Sequence, residues 1–141
     1  MSKNEKIYYE NFKDAVERNR KKIPSVHKKL KNAGVKYVLS SWIDLHGIPK
    51  SKPVPMSDFE PLCLGKGPQF AVHSISFVPE LTPADSDQVM LPDLDAVYIC
   101  PWDKTTALIF ADLFWEDKPY NVCPLQALKR AMQKAPDDGS I

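Results

Sequence analysis

Glycine and cysteine are scarce in this sequence, which holds five glycines and three cysteines in 141 residues. The odd number and wide spacing of Cys63, Cys100 and Cys123 predict neither a disulfide framework nor a zinc site. Residues 65–67 are the only glycine-rich stretch, and they are too short for a phosphate-binding loop. No apolar run approaches the roughly 20 residues of a membrane span, and the N-terminus lacks a signal-peptide core. We therefore expect a cytoplasmic location and no membrane partner.

Charge of one sign is not in excess, because nineteen Lys and Arg residues stand against eighteen Asp and Glu residues. A formal net charge of +1 excludes an overall electrostatic attraction to nucleic acid or membrane. Residues 1–36 are nevertheless basic, with eleven Lys or Arg against four Asp or Glu. This pattern favours a solvated helical face, since nucleic-acid arms carry denser charge and interleaved aromatic residues. A basic helix that binds RNA or an acidic partner remains an alternative.

Proline is abundant, with 13 residues, and its distribution predicts many turns and short strands. Residues 35–55 predict a β-hairpin, because a β-branched and aromatic run precedes turn-forming residues 44–47. The return strand carries lysines and prolines, which are typical of a sheet edge. This hairpin is expected to be the centre around which the remaining chain folds.

Both ends of the sequence predict helices. Apolar residues near a 3.6-residue period indicate a helix over residues 5–22, which Pro24 is expected to end. Ser25 is expected to cap a second, short helix that ends at Gly34. Residues 124–135 predict an amphipathic helix with proline at its first position. The apolar stripe of that last helix consists of Leu125, Leu128, Ala131 and Met132.

Between the hairpin and the last helix, the sequence predicts short elements. Ser57 and Glu60 have the spacing of a capping box before a short helix closed by Gly65. The further expectations are, in order, a strand or structured loop at 69–78, a turn at 81–87, a strand at 88–91, a turn at 93–95, strands at 96–102 and 105–115, and a turn at 116–119. This order predicts an α+β fold with a small mixed or antiparallel sheet.

Catalytic motifs are missing. The three histidines, His27, His46 and His73, are dispersed, and His27 is expected to be a surface residue rather than a ligand. Cys63 has no accompanying base and is expected to fill the core. Four aspartates between residues 85 and 95 suggest either a cation site or turn formation. Turn formation is favoured, because calcium loops need tighter spacing and a glycine hinge.

Four segments, in order, resemble the N-terminal domain of glutamine synthetase and its γ-glutamyl-amide ligase relatives. Residues 38–55 are similar to that family's strand, D-x-H-G turn and V-P return, and residues 70–75, F-A-V-H-S-I, are similar to its F-D-G-S-S-I loop. Residues 85–93 resemble E-S-D-M-x-L-x-P-D, and residues 101–131 contain counterparts of P-W, C-D, D-G-x-P and L-K-R-A. Each motif is short, but their order and spacing make the resemblance specific.

The resemblance implies a β-grasp-like fold for residues 35–120, with a helical extension at 1–34 and a helix and tail at 121–141. It implies the N-terminal domain of an ATP-dependent glutamate–ammonia or glutamate–amine ligase, of the glutamine synthetase or γ-glutamylmethylamide synthetase type. ATP and Mg or Mn would bind to a catalytic domain that is missing here, so we expect no cofactor and no metal in this chain. The expected partners are further copies or neighbouring ligase subunits, and the chain alone is expected to be inactive.

The resemblance also implies a substrate-binding segment that reaches into a neighbouring subunit's active site. Its residues here are Ala71, Val72, His73, Ser74 and Asp87. Ala71 stands where the family has the aspartate that binds ammonium and takes its proton. An alkylamine is therefore the hypothetical substrate, because apolar Ala71 and Val72 suit its carbon atoms. Alternatively, these two residues are strand residues packed on the core. Leu125 also departs from the family, which usually has arginine there.

Three functional interpretations follow. The first is the interface-forming domain of a glutamate–amine ligase. The second is a stand-alone binding or regulatory module that pairs its edge strand with a full-length ligase. The third is the basic-helix protein that binds RNA or an acidic partner through residues 1–36.

Overall fold

The structure is a computed structural model and describes residues 10–71 and 81–135. The helices of these ranges are α1 (Phe12–Asn32), α2 (Phe59–Cys63), which directly follows a 3-10 turn (Met56–Asp58), and α3 (Pro124–Lys134). The strands are β1 (Tyr37–Ile43), β2 (Pro49–Pro55), β3 (Gln69–Phe70), β4 (Gln88–Ile99), β5 (Thr106–Trp115) and β6 (Lys118–Pro119). No helix in the described ranges is long and apolar enough to cross a membrane.

The strands form one mixed sheet in the order β2-β1-β5-β4-β3, with β6 paired to β5. β1 and β5 run parallel, whereas the other pairs are antiparallel. The α+β expectation with a small mixed sheet is therefore confirmed. β5 lies between β1 and β4, which explains why Ala107, Ile109 and Ala111 are fully buried.

The predicted hairpin is confirmed, with β2 at a sheet edge. Its turn is organised by Asp44, whose Oδ1 accepts hydrogen bonds from the backbone N–H groups of His46 and Ile48, both at 2.9 Å. The hydrogen bond from Ile48, together with those from Lys50 and His46, lowers the pKa of the Asp44 carboxyl. Gly47 supplies the left-handed conformation that the turn requires, at φ +76°.

The prediction that Pro24 ends the first helix is wrong. α1 is a single helix that contains Pro24. It begins at Phe12, after the described residues 10 and 11. Asn11 caps its first turn by accepting a hydrogen bond from the backbone N–H of Asp14. The buried residues of α1 continue across the proline and pack against α2 and the sheet; they are Ala15, Asn19, Ile23 and Leu30. Burial of this continuous face outweighs the loss of one helical hydrogen bond at Pro24.

The predicted cap at Ser25 is also wrong, because Ser25 lies inside α1. Its hydroxyl donates to the carbonyl of Lys22 at 2.9 Å. Gly34 does follow the helix end as expected, at φ +81°. The N–H groups of Gly34 and Val35 donate to the carbonyls of Lys31 and Leu30, both at 3.0 Å, which is the Schellman arrangement.

Most basic side chains on the first half of α1 are matched by acids. Arg18 pairs with Glu10 at 2.8 Å, and Arg20 pairs with Glu17 at 3.0 Å. Lys22 pairs with Asp95 of β4. This pairing supports the interpretation of a solvated, locally neutralised face over that of a nucleic-acid arm.

β4 differs from the expectation of two short strands separated by a turn at 93–95. It is one strand with a register shift between Pro92 and Val97. Inside this irregularity, Asp93 Oδ1 accepts the Asp95 N–H at 3.0 Å, which explains the turn-like sequence pattern. The buried amide of Asn19 holds the bulge against α1, because its Nδ2 donates to the carbonyls of Pro92 and Cys63 at 2.9 and 3.0 Å.

The short helix α2 is confirmed, and Phe59, Leu62 and Cys63 are fully buried. The predicted capping box is wrong, since the helix begins without a side-chain cap after the 3-10 turn. Burial raises the pKa of the Cys63 thiol to about 12, so this cysteine fills the core and is not a nucleophile.

α3 begins at Pro124 as predicted, but its apolar stripe does not face the core. Leu128 and Met132 are exposed, whereas Gln126 is buried and donates from Nε2 to the Leu113 carbonyl at 3.2 Å. Leu125 packs partly against a cluster that includes Tyr120 and Cys123. The helix is oriented by polar contacts with β5, which hydrophobic periodicity does not detect.

The turn between β5 and β6 joins Trp115 to Lys118 through Glu116 and Asp117, at φ +50° and +61°. Two residues with positive φ make a type I′ turn, for which Asn-Gly is the preferred sequence. We expect the double substitution Glu116→Asn/Asp117→Gly to stabilise the domain by about 1 kcal/mol in urea unfolding. Asp58→Gly is the control, because Asp58 has φ −106° and should gain nothing. Equal stability of the double variant and the parent would contradict this turn geometry.

Candidate functional site

The predicted substrate-binding segment leaves the sheet between β3 and β4. These strands pair Gln69 with Val89 and Phe70 with Gln88, so residues 71 and 87 are the next positions in register. The structure therefore brings Ala71 and Asp87 to the same end of the β3–β4 pair, which we call the neck. Ala71 is half-buried and Asp87 is exposed. Val72, His73 and Ser74 lie outside the described residues.

An aromatic stack fixes the β3 side of the neck. The rings of Phe70 and Trp42 are stacked, with centroids 4.3 Å apart and an interplanar angle of 11°. Lys52 of the edge strand donates from Nζ to the Gln69 carbonyl, and this Nζ lies 5.8 Å from the Phe70 ring centroid. The hairpin thus holds the last residues before Ala71 through stacking, a charge-assisted hydrogen bond and a cation–π contact.

The β4 side of the neck is fixed by a capped turn and an indole. Asp85 Oδ2 accepts from the backbone N–H of Thr82 at 2.6 Å, and the Asp85 N–H donates to the Thr82 carbonyl at 3.1 Å. Trp115 donates from Nε1 to the Ser86 carbonyl at 3.0 Å. Gln88, the first residue of β4, is fully buried. Asp85, like Asp93, therefore forms a turn, which confirms the favoured prediction for these aspartates.

A largely buried ion pair joins α3 to the sheet. Lys129 Nζ lies 2.5 Å from Asp112 Oδ2 on β5 and 3.9 Å from Asp93 Oδ2 at the β4 bulge. Burial raises the pKa of the Asp112 carboxyl, and the nearby Lys129 charge opposes this rise. The pKa of the nearby Glu10 carboxyl is set in a similar way: burial raises it, and the charge of Arg18 opposes this rise.

Sequence reasoning missed this pair. Asp112 belongs to the segment compared with C-D and Lys129 to the segment compared with L-K-R-A, yet they are 17 positions apart in the sequence, and the chain between them gives no local signal of contact. The position of Asp112 as the one acid inside the apolar β5 segment could have predicted an ion pair, because a charge in a central strand requires a partner.

The chemistry available at the neck is binding and positioning. Within residues 10–71 and 81–135, no three His, Cys, Asp or Glu side chains lie in an arrangement that would hold a metal ion. The three cysteines are buried and unbridged. What the described residues provide is a segment anchored at both ends, with one exposed carboxylate at its base.

Glutamine synthetases and a glutamate–methylamine ligase are among the known proteins with similar sequences. The chain is 37% identical over 106 residues to a glutamine synthetase from Rhizobium meliloti, covering 75% of this chain and 24% of that protein. It is 28% identical over 107 residues to a glutamate–methylamine ligase from Methyloversatilis universalis, covering 74% and 24%. The chain thus spans about a quarter of the length of the curated relatives it matches. No family profile matches the sequence.

Similar solved structures confirm the β-grasp-like N-terminal fold expected from the resemblance. A structure of GmaS without ligand matches with a TM-score of 0.65 and 28% identity, covering 70% of this chain and 23% of that one. A GmaS complex with ADP matches with a TM-score of 0.68 and 27% identity, covering 74% and 24%.

Proposed function

Because this chain is an N-terminal domain of the glutamine synthetase type, we propose that it serves an ATP-dependent ligase that joins glutamate to ammonia or an amine. In this proposal, the segment that leaves the sheet at Ala71 and returns at Asp87 completes the active site of a neighbouring ligase subunit. The anchored neck carries the proposal, since a segment that contributes to another subunit's site must be held at both ends.

ATP and the divalent metals would be bound by parts of the ligase outside these 141 residues. The residues described here do not fit a metal site, because no suitable group of ligands comes together among them. The contribution of this domain is to position the amine-side segment and to join subunits. A homo-oligomer, or an assembly with other ligase subunits, follows from this role, and a cytoplasmic location stays a prediction.

The amine is proposed to be an alkylamine such as methylamine. Ala71 lies at the neck and offers a methyl group in place of the aspartate that the resemblance implies for ammonium. A carboxylate stabilises a bound ammonium ion and accepts its proton, whereas a methyl group favours contact with carbon. The match to a glutamate–methylamine ligase supports this choice. The alternative, that Ala71 is only a packed strand residue, predicts no effect on amine preference.

The decisive experiment is a chimera in which this chain replaces the matched segment of the Rhizobium meliloti glutamine synthetase. We expect the assembled chimera to hydrolyse ATP only with glutamate and an amine present, and the 141-residue chain alone to show no turnover. A folded, assembled chimera with no amine-dependent turnover would overturn the ligase role.

Amine choice is tested in the same chimera by Ala71→Asp. The introduced carboxylate is expected to raise kcat/KM for ammonia relative to methylamine by tenfold or more, since a hydrogen bond to a charged group is worth about 1.5–3 kcal/mol. The matched control is Ala84→Asp, which makes the same change in the exposed turn beside the neck. An equal shift in both variants, or no shift in either, would show that Ala71 does not face the amine.

A further inference from the structure

A cleft lies at the open end of the β1–β2 hairpin, and none of the residues that line it belongs to the neck. The cleft has a volume of about 820 Å³ and lies between the second half of α1, the start of β1 and the connection from β2 to α2. Its apolar wall includes Ile23, Val35 and Met56, and Tyr37, which also lines it, has 51% of its surface exposed. This volume lies within the range of small-molecule pockets, which are mostly apolar with a few polar groups.

The rim of this cleft is basic, and two of its charges are not neutralised. Lys31 and Lys36 line the cleft, both are exposed, and neither makes an ion pair with any residue of the described ranges. Arg20 also lines the cleft, but it is paired with Glu17, and Glu60 is the single acid among the lining residues. The cleft therefore combines an apolar wall with a local excess of positive charge.

Backbone hydrogen bonds hold the walls of the cleft in place. The Lys36 N–H donates to the Thr105 carbonyl at 2.7 Å, and the Met56 N–H donates to the Lys36 carbonyl at 2.9 Å. His27, which the sequence predicts to be a surface residue, is half-buried, and its ring stacks on buried Phe59 with centroids 5.7 Å apart. A preformed cleft loses little conformational entropy when a ligand binds.

We propose that this cleft binds a small organic carboxylate with an apolar body, such as an aryl or acyl acid. The carboxylate is placed between Lys31 and Lys36 at the rim, and the apolar body lies against Ile23, Val35 and Met56. Electrostatic complementarity selects an anion over a neutral molecule of the same shape. This site is separate from the neck, and the proposal is independent of the ligase role.

The experiment is a ligand titration of the 141-residue chain followed by NMR or calorimetry, with phenylpropionate and its neutral isostere phenylpropanamide as probes. We expect saturable binding of the carboxylate at least fivefold tighter than that of the amide. The double variant Lys31→Gln/Lys36→Gln should lose this preference. Lys28→Gln/Lys29→Gln is the matched control, because it removes two charges from exposed positions on the same helix outside the cleft lining.

Three results would overturn the proposal: equal affinity for carboxylate and amide, an equal loss of preference in both double variants, or no saturable binding at millimolar probe. All four substituted lysines are exposed, so the variants are expected to fold, and circular dichroism checks this.

Discussion

Replacing Lys129 by methionine is expected to destabilise the domain by about 3–5 kcal/mol, because it leaves the Asp112 carboxylate buried without its partner. Both side chains are largely buried, with relative exposures of 15% for Lys129 and 7% for Asp112. Methionine retains much of the lysine's apolar stem, so the loss reports mainly on the missing charge. Urea unfolding of both proteins measures the difference.

Two further variants make this experiment specific. Lys134→Met is the matched control, since Lys134 is exposed at the end of the same helix and should change stability by less than about 0.5 kcal/mol. The double variant Asp112→Leu/Lys129→Met should recover most of the loss, because no buried charge remains unpaired. If Lys129→Met resembles Lys134→Met, the ion pair does not hold α3 to the sheet.

The stability loss caused by Lys129→Met should depend on pH in a defined direction. A carboxyl whose pKa is raised by folding favours the native state at a pH below its unfolded pKa, and this benefit is lost as the pH rises through the folded pKa. Lys129 opposes the rise at Asp112, so removing it raises the folded pKa further. The stability deficit of Lys129→Met should therefore be smaller near pH 4 than near pH 7. A constant or growing deficit on acidification would exclude Asp112 as its cause.

Gly65→Ala is expected to cost about 2–4 kcal/mol, because two penalties combine at this position. Gly65 has φ +74°, which an L side chain adopts only with strain. A Cβ there would lie 2.6 Å from Phe12 Cζ and 3.3 Å from Val89 Cγ1. The Phe12 ring would have to leave its edge-on contact with Phe114, whose centroid is 5.3 Å away. Thermal or urea unfolding measures the loss.

Alanine variants at two other glycines measure the cost of the backbone conformation without the steric clash. Gly34 and Gly47 have φ +81° and +76°, and a Cβ at either position meets nothing within 4 Å. Gly34→Ala and Gly47→Ala should each cost only about 1 kcal/mol from the backbone conformation. Phe12→Leu removes the ring that the alanine side chain would meet. The double variant Gly65→Ala/Phe12→Leu should therefore lose less stability than the sum of the losses in the two single variants. Equal losses for all three alanine variants would mean that Phe12 does not crowd Gly65.

Elements with local signals are the ones that the sequence predicts correctly. The hairpin follows from a β-branched run and the Asp44 turn, and the helix ends at Gly34 and Gly65 follow from glycine's access to positive φ. Pro24 misleads because its local effect opposes a tertiary one, the burial of Ile23 and Leu30 on one continuous face. Local propensity is a weak prior when an amphipathic face is buried in this way.

The candidate site is predictable to a similar extent. The motif resemblance locates the neck residues Ala71 and Asp87, which β3 and β4 place next to each other. The contacts that hold the neck are not predictable, because Lys52 and Trp115 reach it from other strands. The orientation of α3 is missed for the same reason, since Gln126 and Lys129 bind β5 across the fold.

The parallel pairing of β1 with β5 has a kinetic consequence. Val38 lies beside Ala107 and Leu39 beside Leu108, so the middle of the sheet joins segments about seventy residues apart. The β1–β2 and β4–β5 pairs close over shorter stretches of chain and can form first. Completing the sheet then requires a long loop to close. We therefore expect the rate-limiting step of folding at this seam, and substitutions of its side chains to change the folding rate more than substitutions in either turn.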